Sequence, residues 1–184
     1  RKELLDITAE MEGHPDNAAP AILGGFCMAL IENGNVVAER IDIPSQWKAV
    51  VAIPDFELHT EKARAVLPAS YVRSDVVHNI GAVSFLMAAF MYNKPEYLKF
   101  GLDDHVHVPY RLGLIPGSEE VIRSSVKAGA YGATISGSGP TIIAFSPSDK
   151  AHLVGESMVS TFKHHGITSS YIVLDFDQSG ISAV

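Results

Sequence analysis

At 184 residues, 47% hydrophobic and 19% charged, the chain is long enough for one packed domain or at most two small ones. With 14 Lys and Arg against 21 Asp and Glu it carries a net charge of −7, which argues against generic nucleic-acid binding. No apolar run approaches a membrane span and no secretory signal opens the sequence. The lone cysteine, Cys27, excludes an internal disulfide, suits a reducing cytoplasm, and is expected to be a buried small hydrophobe.

Arg1 to Met11 is helix-prone from its first residue, with Leu4, Leu5, Thr8 and Met11 on one side and no N-cap signal. The chain is therefore expected to be a piece of a longer protein, cut in or just before a helix. Glu12-Gly13-His14-Pro15-Asp16-Asn17 follows, crowding two carboxylates, an imidazole and a carboxamide into six positions. It leads through Ala18-Ala19-Pro20 and Gly24-Gly25 into a strand over 25–31. Such polar density beside a strand suits a site loop held by a rigid scaffold.

Asn33-Gly34-Asn35 signals a hairpin turn, and 36–43 alternates as the partner strand. Residues 47–53 form a third strand and 60–67 a short helix with Thr60 as its N-cap. Val76, Ile80, Val83, Met87, Phe90 and Met91 mark the apolar face of a long helix. Another helix is expected over 96–104, while 105–114 is ambiguous. Ser118 starts a helix to about Ala130, and strands over 131–135 and 141–145 flank Ser136-Gly137-Ser138-Gly139-Pro140. Ser148-Asp149 starts a last helix carrying Val154, Met158 and Phe162, and 170–176 closes the chain as a strand. The pattern predicts α+β, with helices on one face of a largely antiparallel sheet.

Four segments carry candidate chemistry. Glu12 and Asp16 could share a divalent cation, since Mg²⁺ uses one or two carboxylates plus phosphate oxygens; the alternative is a loop in which Asp16 and Asn17 bond only local backbone. Gly137 and Gly139 permit either a close-approaching ligand or simply a tight turn. Thr60 and Arg64 share a helix face, and Arg64 and Arg111 are candidate anion ligands. His105-x-His107 invites a metal; no cysteine or carboxylate cluster is expected to complete such a site, so zinc is not expected there. His164-His165 suits a helix C-terminus.

These segments, in this order, resemble the homoserine kinases of the GHMP small-molecule kinase superfamily. The carriers are Glu12 through Pro20 with Gly24-Gly25, Thr60 through Arg64, His105 through Arg111, and Ile135 through Thr141. The family's upstream Gly-Ser-rich phosphate loop is not in the sequence. The resemblance implies residues 1–45 as the remainder of an N-terminal GHMP domain and 46–184 as a ferredoxin-like C-terminal GHMP-kinase domain. It implies ATP-dependent phosphorylation of the L-homoserine hydroxyl in threonine biosynthesis, with ATP and Mg²⁺ as cofactors and the fragment inactive alone.

By that resemblance Glu12 is the Mg²⁺ ligand, with Glu10 two positions away as its rival. His14, Asp16 and Asn17 form the substrate loop, Asp16 and Asn17 being catalytic. Arg64 and Arg111 hold the substrate carboxylate beside Thr60, and Gly137 and Gly139 support the pocket. A cytoplasmic homodimer with no nucleic-acid or membrane partner is expected. The alternatives are another GHMP kinase or a non-catalytic ferredoxin-like ligand-binding domain.

Overall fold

The computed structural model describes residues 1–182. The chain divides into two compact units: Arg1–Ser45 with the segment from Phe176 on, and Gln46–Asp175.

The first unit holds α1 (Lys2–Glu12), α2 (Ala18–Leu23), β1 (Phe26–Glu32) and β2 (Asn35–Ile41). β1 and β2 form an antiparallel hairpin, Phe26 opposite Ile41. Asn33 and Gly34, at φ 52° and 79°, make the two-residue turn whose twist matches the flanking strands. α1 buries Leu5 and Ala9, four residues apart; Leu4 and Met11, expected on its apolar side, face solvent. Leu5 and Ala9 pack with Ala18, Ala19, Ile22 and Val36. Asp6 fastens α1 to β2 by accepting the Val36 N–H at 2.8 Å and Lys2 Nζ at 2.8 Å. The Lys2 bond, then the Val36 bond, holds its carboxyl below the usual range.

Residues 176–182 lace onto this unit. Gln178 imitates a strand partner, donating Nε2 to the Ile43 carbonyl at 2.9 Å and accepting the Ile43 N–H at 3.2 Å. Gly24, at φ +76°, makes room for it, because a Cβ there would lie 2.6 Å from the Gln178 backbone. Cys27, expected to be buried, is half-buried, with its Sγ 3.2 Å from the Gly24 carbonyl.

The second unit is built on β3 (Trp47–Pro54), β4 (Gly132–Ile135), β5 (Ile142–Pro147) and β6 (Ser169–Leu174). The sheet order is β4-β5-β3-β6, with every pairing antiparallel. Between β3 and β4 run α3 (Thr60–Ala65), α4 (Arg73–Met91), α5 (Leu98–Gly101), α6 (Val108–Arg111) and α7 (Ser118–Lys127). α8 (Ala151–His164) connects β5 to β6. This βαββαβ order is the ferredoxin-like α+β fold.

α7 and α8 cover one sheet face, where Val50, Ala52, Ile142 and Ala144 meet Val121, Val154, Met158 and Phe162. The apolar stripe expected on α8 is thus buried. The one expected on α4 is buried only at Phe90 and half-buried at Met87: Val76, Ile80, Val83 and Met91 are exposed, while Ala82 and Ala89 are buried beside Phe90. Phe90 packs 5.4 Å from the Trp47 ring and 5.7 Å from Phe145. α4 is apolar on nearly every side, so periodicity alone could not pick its docking face. By length and composition it could also cross a membrane, which corrects the expectation of no such run.

The expected helix over 96–104 is reduced to a 3-10 turn at Pro95–Tyr97 followed by α5. The ambiguous 105–114 stretch holds α6 and a second 3-10 turn, Leu112–Leu114. His165, assigned to a helix end, also pairs with Glu120 at 2.8 Å. That bond holds the Glu120 carboxyl below its usual range.

Candidate active-site residues

In the first unit the polar loop lies between the end of α1 and the start of α2. α1 stops because Gly13 takes the left-handed conformation at φ 79°. Glu12, its last residue, is exposed at the carbonyl end, where the helix dipole favours a cation. Glu10 is exposed too, but two residues on a helix are about 200° apart, so the two carboxylates point to opposite sides.

His14 Nδ1 lies 2.6 Å from Asp16 Oδ1, and the same oxygen accepts the Asn17 N–H at 2.9 Å. Asp16 Oδ1 is therefore engaged, and the side chain remains 73% exposed. Asn17 is the N-cap of α2, yet its side chain makes no capping bond. Asp16 thus meets both a local backbone N–H and the His14 ring, while the Asn17 carboxamide is not used as a cap.

In the second unit the structure assembles residues far apart in sequence. Half-buried Arg111, at the end of α6, donates from Nε to the Ala63 carbonyl at 3.3 Å and from Nη1 to the Gly137 carbonyl at 3.0 Å. One guanidinium thus bridges α3 and the glycine turn. Thr60 is not the N-cap of α3; His59 is, in an extended conformation, and Thr60 opens the helix. Its hydroxyl instead lies 3.3 Å from Ser138 Oγ. Arg64 is on α3, exposed, and four residues on from Thr60.

The turn itself closes with the Gly139 N–H on the Ser136 carbonyl at 2.9 Å, and the Ser136 N–H on Thr141 at 2.8 Å. Gly137 (φ 57°) and Gly139 (φ 86°) both hold conformations that favour glycine. A Cβ on Gly139 would also meet Ile115 at 2.7 Å, whereas one on Gly137 would point into open space.

Asp104 is the residue sequence reasoning missed. Its Oδ1 accepts Asn79 Nδ2 at 2.7 Å and the Val106 N–H at 3.0 Å. Its Oδ2 accepts the N–H groups of His107 at 2.8 Å and Val108 at 2.6 Å. Burial pushes its pKa up, but the Asn79 bond and the three backbone bonds outweigh that and leave it lowered. Asp104 thereby sets the start of α6, and with it the position of Arg111. The Asp104-x-x-His107-Val108-Pro109 spacing, an acid just ahead of a proline-started turn, was the available signal.

Residues 96–164 match the family model described as GHMP kinases C terminal. The chain is 43% identical over 180 residues to a homoserine kinase of Carboxydothermus hydrogenoformans, covering 98% of this chain and 58% of that protein. It is 39% identical over all 184 residues to one from Desulfitobacterium hafniense, covering 62% of it. The crystal structure of a homoserine kinase from Cytophaga hutchinsonii superposes with a TM-score of 0.90 at 32% identity, over 97% of this chain and 59% of that one. The chain thus spans about three fifths of the length of these relatives. By sequence and by fold, this chain matches the C-terminal GHMP-kinase region of homoserine kinases over nearly its full length.

Proposed function

We propose that the chain is the C-terminal part of a kinase that transfers the γ-phosphoryl group of ATP to the side-chain hydroxyl of L-homoserine, giving O-phospho-L-homoserine. Residues 1–45 belong to its N-terminal GHMP domain and the chain from 46 to its C-terminal domain, whose last strand ends before the segment that returns to the first unit at Phe176. The observation that carries this reading is the match to homoserine kinases across 98% of the chain at 43% identity.

Arg64 and Arg111 hold the carboxylate of the amino acid. Arg111 is set in advance by the carbonyls of Ala63 and Gly137, so little rotamer freedom is lost on binding. Thr60, Gly137 and Gly139 contribute to binding the substrate, as does His14. Asn17 orients the hydroxyl through its carboxamide. Asp16, with Oδ1 engaged, takes the hydroxyl proton on Oδ2 as it attacks in line.

Hard carboxylate oxygens on Glu12 and Asp16, both exposed, fit Mg²⁺, and Glu12 is the ligand proposed here. Bound Mg²⁺ neutralises charge on the phosphoryl oxygens. Positioning supplies most of the remaining acceleration. With one half-buried cysteine and no disulfide, the protein suits the cytoplasm.

Pairing of two copies through α4 completes the reading. From Val76 to Met91 the helix has no Asp, Glu, Lys or Arg, and Val76, Val77, Ile80, Val83 and Met91 are exposed. An antiparallel pair centred between Val83 and Ser84 sets Val76 against Met91 and Ile80 against Met87. The stripe is self-complementary, as a two-fold interface requires.

The test is substrate profiling of the chain joined to its phosphate-loop domain. L-Homoserine is expected to be phosphorylated in preference to mevalonate, galactose or other alcohols. Preference for one of these would identify a different GHMP kinase, and homoserine binding without transfer would identify a binding domain.

A further inference from the structure

His78, Asp103 and His105 take no part in the reading above, yet they form the tightest cluster of metal-ligating side chains among the described residues. His78 is on α4, while Asp103 and His105 follow α5. One donor atom from each lies within 4.8 Å of the others. His78 Nε2 is 3.1 Å from Asp103 Oδ2, and His105 Nε2 is 3.8 Å from Asp103 Oδ1. Four-coordinate zinc with bonds of about 2.0–2.1 Å separates its donors by about 3.3 Å, a value between these two spacings.

Neighbouring bonds hold the three residues in place. Asn79, next to His78, donates to Asp104 at 2.7 Å and accepts the His105 N–H at 2.8 Å. Asp104, between the other two donors, is the anchor of this loop. A further carboxylate is in a telling position: Asp75 Oδ1 lies 3.4 Å from His105 Nδ1. A metal-bound histidine commonly gives its second ring nitrogen to such a carboxylate, which fixes the tautomer and leaves Nε2 for the ion.

The two imidazoles stack, 3.9 Å apart and 11° from parallel. Lone pairs in parallel ring planes do not meet at one point, so binding turns one ring about its Cβ–Cγ bond. At 38% and 39% exposure the side chains have the room to do so. We propose that His78, Asp103 and His105 bind a divalent transition-metal ion of the zinc class, with Asp75 orienting His105. Two imidazoles and one carboxylate suit zinc, cobalt or nickel and not Mg²⁺, which prefers oxygen throughout. The ion would cross-link α4 to the loop that sets α6.

The test is titration of the purified chain with Zn²⁺ by calorimetry and with Co²⁺ by its visible absorption. One equivalent is expected to bind with the intense bands of tetrahedral coordination, undisturbed by excess Mg²⁺. Uptake should be lost in the His78→Ala/His105→Ala double variant and weakened about 10-fold in Asp75→Asn. Circular dichroism of the metal-free double variant should match the parent, because both rings are surface groups. Failure to bind Zn²⁺, or uptake that survives the double substitution, would overturn the proposal.

Discussion

Arg111 donates a 3.0 Å hydrogen bond from Nη1 to the carbonyl of Gly137, 26 residues away. The contact makes the glycine turn part of the arginine's mounting. Replacing Arg111 by Ala or Lys is expected to raise the KM for L-homoserine by about 10- to 100-fold with a smaller change in kcat. A lost charge-assisted, two-pronged contact costs about 1.5–3 kcal/mol. Steady-state kinetics against homoserine at saturating ATP reads the split, and an unaltered KM would remove Arg111 from the carboxylate site.

Asp16→Asn keeps the shape of the loop and the acceptor for the Asn17 N–H, but gives up the proton acceptor. Turnover should fall by about 100-fold or more while homoserine still binds, the range general-base assistance supplies. Calorimetric binding measured beside kcat checks this, and retained turnover would leave Asp16 a purely structural partner of His14.

Asp104→Asn tests how α6 is set. The side chain is 19% exposed and accepts four hydrogen bonds. The variant should lose about 2–3 kcal/mol near neutral pH. Because the folded pKa is lowered, Asp104 contributes fully above the unfolded carboxyl value of about 3.9. That contribution fades as pH falls through the folded value. Denaturant titrations should therefore show a gap between parent and variant at pH 7 that closes below about pH 4; a gap independent of pH would refute the linkage.

Ile80→Asp together with Val83→Asp tests the α4 face. Both positions are exposed, at 66% and 52%, so folding should survive. Analytical ultracentrifugation should show dimer in the parent and monomer in the variant. A monomeric parent would end the dimer reading.

What the sequence made legible follows a physical pattern. The α8 stripe Val154, Met158 and Phe162 could be read because its opposite face is polar, so periodicity named the buried side. α4 misled because apolar residues surround it, and only tertiary packing of Phe90 on Trp47 chose a face. The Asn33-Gly34 turn was legible from local chemistry alone. Thr60 was misassigned because His59, already extended, serves as the cap and leaves the Thr60 hydroxyl for Ser138. Asp104 could have been read from its local spacing to His107, Val108 and Pro109, but its bond to Asn79 and the His78 partnership with His105 could not, because those partners are distant in sequence and nothing local announces them.

The most direct measurement compares L-homoserine with 3-amino-1-propanol, which keeps the hydroxyl and amine but lacks the carboxylate. It would use the chain joined to its phosphate-loop domain, with and without Arg111→Ala. The account predicts a strong kcat/KM preference for homoserine that largely disappears in the variant, while Asp16→Asn slows both substrates alike. An unchanged preference in Arg111→Ala, or no phosphorylation of homoserine at all, would contradict it.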